Sequence, residues 1–201
     1  MSYLTAKDID RIEREYGKPV ELSTRIKTTS KELDKIRKSQ VHGRAHDITL
    51  FIVKGNQLLF IAKPFYPSGL YRAPSGAAKP GESLSDGGKR EAFEETGVQI
   101  EFEKYVLRIK ARFEGDNDCI DWTSHVFKAR YVSGDVKPID TREIREARFV
   151  DFDDIPRFNE IMQKINIAGF RYRVFLTENT MQLLEKDLVS HNKKIDEIES
   201  Q

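Results

Sequence analysis

The stretch from Gly76 to Val98, GAAKPGESLSDGGKREAFEETGV, constrains this chain more than any other, because it dictates a capped helix and loads it with acid. Ser83, with Asp86 three residues on, reads as an N-cap of the capping-box kind, and Gly97 stands where a left-handed C′ residue ends a helix. At about 100° per residue, Glu91, Glu94 and Glu95 fall inside an arc of roughly 100°, while Ala92, Phe93 and Thr96 point elsewhere. Like charges at these spacings destabilise a helix by a few tenths of a kcal/mol per pair, so the concentration calls for a cation to offset it. Carboxylate oxygens are hard ligands and favour Mg²⁺ or Mn²⁺. Gly87 and Gly88 lie inside the same helix, at about 0.5–1 kcal/mol each relative to Ala, which predicts that the helix backbone lies close to the sheet or to the Gly76 loop.

Written as a pattern, G-x5-E-x7-R-E-U-x-E-E-x-G-U with U a bulky apolar residue, this stretch resembles the signature of the Nudix hydrolases. All seven fixed letters are present; Ala92, smaller than the usual Leu or Val at the first apolar position, is the one departure. The resemblance spans roughly residues 42–155 and implies an α/β fold, an α/β/α sandwich around a central mixed sheet. It also implies a Mg²⁺- or Mn²⁺-dependent hydrolase that cleaves a diphosphate linkage in a nucleoside diphosphate joined to a group X. Glu91, Glu94 and Glu95 with the backbone carbonyl of Gly76 would be the metal ligands, and Arg90 and Glu82 would orient the cluster. A further carboxylate ahead of the last strand would serve as ligand or general base, and Asp140, Glu143 and Glu146 occupy that stretch, with Glu143 and Glu146 equally placed. Some subfamilies acting on ADP-ribose carry a proline soon after the signature; none occurs here between Pro80 and Pro138, which argues against that substrate. Nudix-like domains also serve as non-catalytic nucleotide or nucleotide-sugar sensors, but such a sensor would be expected to lose signature carboxylates that this chain keeps.

A nucleotide needs a flat surface for its base and cations for its outer phosphates. Tyr66, Tyr71, Arg72 and Lys79, close to the signature, offer both, although aromatics beside prolines also pin loops to a core. Trp122 and His125, three apart on an expected strand, face opposite sides; one or both belong in the core, with His125 the candidate substrate contact.

The rest of the chain narrows the class. With 34 basic against 33 acidic residues among 201, no long-range field recruits nucleic acid or an anionic membrane. The basic stretch from Arg25 to Arg44 is interrupted by Glu32 and Asp34 and reads as a solvated face. Cys119 is the single cysteine, so no internal disulfide forms and a reducing, cytoplasmic setting is expected. The charged N-terminal residues are unlike a signal peptide, and the apolar run from Ile48 to Val53 is too short to span a bilayer.

Along the chain, residues 1–41 form a polar arm with helices expected near Ala6–Tyr16 and Ser30–Ser39 and a strand at Val20–Lys27. The arm lacks apolar content for its own core, so it packs on the main domain or on a partner subunit, and a homodimer is expected. Residues 42–155 hold a hairpin about Lys54-Gly55-Asn56, a proline-rich loop, the acidic helix, two long strands joined at Gly115–Asp118, and a last strand at Ala147–Phe152. Residues 156–201 read as a helical extension packed on that domain, ending in the charged tail 193–201, a possible recognition appendage.

Overall fold

The computed structural model describes residues 4–199, with side chains for residues 4–41 and 43–186. In chain order the elements are α1 (Ala6–Tyr16), β1 (Val20–Lys27), α2 (Ser30–Ser39), β2 (His46–Lys54), β3 (Gln57–Ala62), β4 (Ser75–Gly76), α3 (Leu84–Thr96), β5 (Gln99–Glu114), β6 (Cys119–Ser133), β7 (Glu146–Asp151), α4 (Ile155–Ile165) and α5 (Ala168–Glu199). The caps explain the first helices. Thr5 with Asp8, and Thr29 with Glu32, form reciprocal capping boxes, and Gly17 ends α1 at φ 86.

The strands form one mixed sheet in the order β1-β5-β6-β2-β3-β7, with β4 added to β2. β1 runs parallel to β5 and β2 parallel to β6; the other pairs are antiparallel. The β2–β3 hairpin closes at Lys54↔Gln57, where Gly55 supplies the positive φ of 58 that a two-residue turn requires. On one face, α1 and α3 pack through Ile12, Leu84 and Ala92 against Ile48, Leu50, Phe102 and Phe127. On the other, α2, α4 and α5 pack through Leu33, Phe158, Met162, Phe170 and Leu176 against Phe51, Phe60, Ile109 and Val126. β5 serves both layers. Ile100, Phe102 and Tyr105 belong to the first core and Leu107, Ile109 and Phe113 to the second, because register shifts between Phe102 and Lys104 and between Tyr105 and Leu107 turn the strand over.

This is the expected sandwich with a mixed central sheet, and it takes in both ends of the chain. β1 completes the edge beside β5, and Ile12, Ile26 and Leu33 of the arm are buried in the two cores, so the arm finds its packing within the chain. The helical extension expected after Pro156 comprises two helices, separated where Asn166 adopts φ 55 and caps α4. Two members of the basic stretch are paired: Arg25 with Glu114, and Arg37 with Asp34 and Asp118. Side chains of the tail 193–201 lie outside the described residues. Among the described residues, no helix is long and apolar enough to cross a membrane.

Candidate active site

The acidic helix meets the sheet at β4. Ser83 caps α3 by accepting from the Asp86 amide at 3.0 Å, and Gly97 closes it in the left-handed region at φ 78. The paired glycines allow a close approach on two sides. A Cβ at Gly87 would lie 2.7 Å from Ala78 Cα, in the loop that follows Gly76, and one at Gly88 would lie 2.5 Å from Phe102 Cζ, in the sheet. Gly76 in turn accommodates Glu91, since a Cβ there would fall 2.0 Å from the Glu91 carboxyl carbon.

Arg90 organises the carboxylates. Its Nε and Nη2 donate to Glu82 at 2.9 and 3.0 Å, Nη1 donates to Glu91 and Glu94 at 2.9 Å each, and Nη2 also reaches the Ala77 carbonyl at 2.7 Å. All five guanidinium donors are used, a pattern that no lysine could reproduce. The Arg90 guanidinium, with the Lys79 amide at 2.7 Å, holds Glu82 below the usual carboxylate range. Glu91 also accepts from the Ala77 amide at 3.2 Å.

The three carboxylates of the arc occupy three different environments. The Glu94 side chain is 44% exposed, Glu91 17% and Glu95 3%, because the arc runs from the rim of the sandwich into its interior. Glu95 accepts from the Ser75 amide at 2.8 Å and lies 3.9 Å from the Arg72 guanidinium. Burial pushes its carboxyl up to about 7, against the pull of Arg72 and Lys63. The three carboxylates share an arc of the helix, as expected, but that arc is not uniformly exposed: Glu95 faces inward. Glu91 and Glu95 nevertheless bracket the same strand, one on the Ala77 amide and the other on the Ser75 amide. Carboxylate oxygens are the donor type that a hard divalent cation takes. Among the described residues, no three acidic, His or Cys side chains stand together at ligating geometry, since Arg90 and Ser75 hold them instead.

The loop before β7 docks on the end of α3: the Lys137 amide donates to Thr96 O, and the Ile139 and Asp140 amides to Glu94 O, each at 3.0 Å. Asp140 turns the loop by accepting from the Arg142 and Glu143 amides. Glu143 is exposed and accepts from Lys63 at 3.2 Å, whereas Glu146 accepts from the Tyr71 hydroxyl at 2.8 Å.

Most of the expected substrate contacts are interior. Arg72 is 5% exposed, and donates to the Tyr66 hydroxyl, the Ala73 carbonyl and Ser75 Oγ at 3.0, 2.7 and 2.8 Å. Tyr66 and Tyr71 are buried against Phe170 and Phe158, so both pin the proline-rich loop rather than offer an open ring. His125 is buried beside Tyr105 and His46; burial, reinforced by His46, lowers it to about 3. Trp122 is buried on the opposite side, in the α5 layer. Lys79 alone of the group is exposed.

Sequence reasoning missed Lys63, Asp47, Ser75 and Arg173. Lys63 closes an apolar strand just before Pro64, a signal that was readable. Arg173 lies in an aromatic run of α5 and joins Asp47, 126 positions away, which no local pattern announces.

A family profile described as NUDIX domain matches residues 43–168. The chain is 29% identical over 134 residues to the NAD-capped RNA hydrolase NudC of Pseudomonas syringae pv. tomato, covering 65% of this chain and 44% of that protein. It is 30% identical over 113 residues to the oxidized purine nucleoside triphosphate hydrolase of Mus musculus, covering 56% of this chain and 69% of the mouse protein. The chain thus spans under half the length of the Pseudomonas relative. A crystal structure of a UDP-X diphosphatase shares the fold at TM-score 0.51 and 17% identity, over 77% of this chain and 71% of the other.

Proposed function

The chain belongs to the NUDIX domain family, and from that membership we propose that it is a Mg²⁺- or Mn²⁺-dependent hydrolase of a diphosphate linkage in a nucleoside diphosphate derivative. One observation carries the reading: Arg90 gathers Glu82, Glu91 and Glu94 against the Ala77 carbonyl, beside a Gly76 that leaves room for Glu91. The curated relatives agree in chemistry, since an NAD cap and a nucleoside triphosphate both present a nucleoside-borne phosphoanhydride.

In this reading Glu91, Glu94 and Glu95 with the Gly76 carbonyl would hold the cation. Bound there, a divalent ion supplies charge neutralisation at the phosphates and a lowered pKa for water. Arg90 keeps Glu91 and Glu94 in place, and Glu82 fixes Arg90. Glu143 takes the proton of the attacking water in preference to Glu146, because it is exposed and rests on Lys63, whose charge also acts on Glu95. Water adds to phosphorus as the bridging P–O bond breaks, and Lys63 and Lys79 are the cations that meet the outer phosphates. Arg72, Tyr66 and Tyr71 support the loop without touching substrate.

A panel of nucleoside polyphosphates, dinucleotides and nucleotide sugars, run with Mg²⁺ and with EDTA, tests the proposal. At least one compound is turned over, chelation abolishes that turnover, and Glu94→Gln lowers kcat by on the order of 100-fold. Turnover that survives both treatments would falsify the mechanism, and a metal-replete protein inactive on the whole panel would favour a nucleotide sensor.

A further inference from the structure

The strand carrying Gly76 is two residues long and pairs with β2 at Ile48↔Gly76 and Thr49↔Ser75. So short a ladder does little to fix a backbone carbonyl on its own. A further restraint comes from α5, which lies almost wholly beyond the family match ending at residue 168. Arg173 lays its guanidinium across three acceptors: Nη1 donates to Thr49 Oγ1 at 3.0 Å, and Nη2 donates to Asp47 Oδ2 at 3.1 Å and to Ser75 Oγ at 2.9 Å. Asp47 is itself buried and fixed, accepting from Trp122 Nε1 and Ser124 Oγ, and Ser124 accepts from the Tyr172 hydroxyl. The Ser75 hydroxyl also accepts from Arg72, while the Ser75 amide holds Glu95.

We propose that Arg173 is a positioning residue of the active site: acting through Ser75, it seats β4 so that the Gly76 carbonyl and the Glu95 carboxylate keep their places. Its catalytic consequence rests on the hydrolase reading; the seating of β4 does not. The chemistry requires arginine. Nη2 bridges Asp47 on β2 and Ser75 on β4 while Nη1 holds Thr49, so the rigid planar fork fixes the direction of the bridge with its charge matched to buried Asp47, whereas a lone ammonium on a flexible stem cannot hold all three acceptors in that plane. α5 is therefore part of the active-site scaffold and not a decoration on the family domain.

Amide hydrogen exchange at Ser75, Gly76 and Ala77 in the substrate-free protein measures the seating directly. Steady-state kinetics on the compound selected by the panel measure its consequence. Arg173→Lys keeps a charge near Asp47 but loses the fork. Ser75→Ala, which leaves Arg173 on Asp47 and Thr49, serves where the first variant folds poorly. Both variants exchange at residues 75–77 about tenfold faster than the wild type relative to β5 and β6, and both lower kcat about tenfold with KM within about threefold. Thr180→Val removes a buried hydroxyl bond elsewhere on α5, to Leu176 O at 2.8 Å; it lowers Tm and changes neither readout. Unchanged exchange at residues 75–77 in Arg173→Lys overturns the proposal, and faster exchange with unchanged kcat overturns its catalytic part. If the wild type turns over nothing on the panel, the hydrolase reading falls and exchange alone decides the seating.

Discussion

Gly76→Ala inserts one methyl group at the point where strand and helix carboxylate meet. The added Cβ would lie 2.0 Å from Glu91 Cδ and 2.2 Å from Oε2, whereas ordinary contact begins near 3.4 Å. The difference, 3.4 minus 2.0, requires a retreat of about 1.4 Å, and the Glu91 side chain gives way because its far end is flexible while β4 is held both by pairing to Ile48 and through Ser75 by Arg173. Retreat breaks the 2.9 Å bond from Arg90 and the 3.2 Å bond from the Ala77 amide. Losing such charge-assisted bonds at a largely buried carboxylate costs about 1–3 kcal/mol, or roughly 2–12 °C in Tm for a chain of this size. A displacement beyond 1 Å at a reacting centre costs on the order of 100-fold in rate, and the substrate's remote contacts are untouched, so the loss falls on kcat. Thermal melting and steady-state kinetics on the same preparation separate the two effects. Gly169→Ala is the control, because a Cβ there meets nothing within 4 Å. A folded Gly76→Ala protein that keeps kcat within about twofold of wild type would refute the steric argument and the role given to Glu91.

Arg90→Lys retains charge but cannot serve Glu82, Glu91, Glu94 and Ala77 O together, so kcat falls by about 10- to 100-fold with a modest loss of Tm; equal activity would show that the clamp is idle. Burial lowers His46 to about 4 and His125 to about 3, below the unfolded value of 6.5, so the stability they contribute is complete above that value and drains away as pH falls toward the folded ones. Each then costs about 1.4 kcal/mol between about pH 7.5 and 5.5, and His125→Asn removes one such increment from the difference between urea melts at the two pH values; an unchanged difference contradicts the assignment. Gly87→Ala drives a methyl into the Ala78 backbone and lowers both Tm and kcat, whereas Gly88→Ala meets the far end of the Phe102 ring and lowers Tm with kcat kept within about threefold. Equal kcat losses in the two variants would count against this division.

Much of the architecture was legible because its signals are local. Gly17 closes α1, Thr29 and Glu32 open α2, and Ser83 and Gly97 bound α3, each within a few residues of the end it decides. What stayed hidden depends on distant partners. β4 exists only because Ser75 and Gly76 lie beside Thr49 and Ile48, and the helix break after Ile165 depends on Asn166 adopting a conformation that residues other than glycine rarely take. Arg72 looked like a surface cation because its sequence neighbours are loop residues; its burial follows from the bridge Ile61↔Arg72, which draws the loop back onto the sheet.

The placement of the carboxylates depends on the rotation of α3 about its own axis, and the two internal glycines contribute to it. Residues 87, 91 and 95 form one stripe at four-residue spacing, and 88, 92 and 96 the next. With no side chain at 87 or 88, the backbone of Ala78 closes on the first stripe and Phe102 on the second. The first approach brings Ala77 and Gly76 alongside Glu91, one turn on, and leaves Glu95, a further turn on, beneath Ser75. Arg90 and Glu94 belong to a third stripe turned toward the rim, where the Arg90 fork crosses back to Glu91 and Ala77 O. A larger residue at Gly87 would tilt or rotate the helix away from the Ala78 backbone and carry the carboxylates away from β4 together, whereas one at Gly88 is met by the Phe102 ring. The helix-propensity penalty of Gly87 and Gly88, about 0.5–1 kcal/mol each, is thus offset by the proximity that gives the acidic stripe its strand.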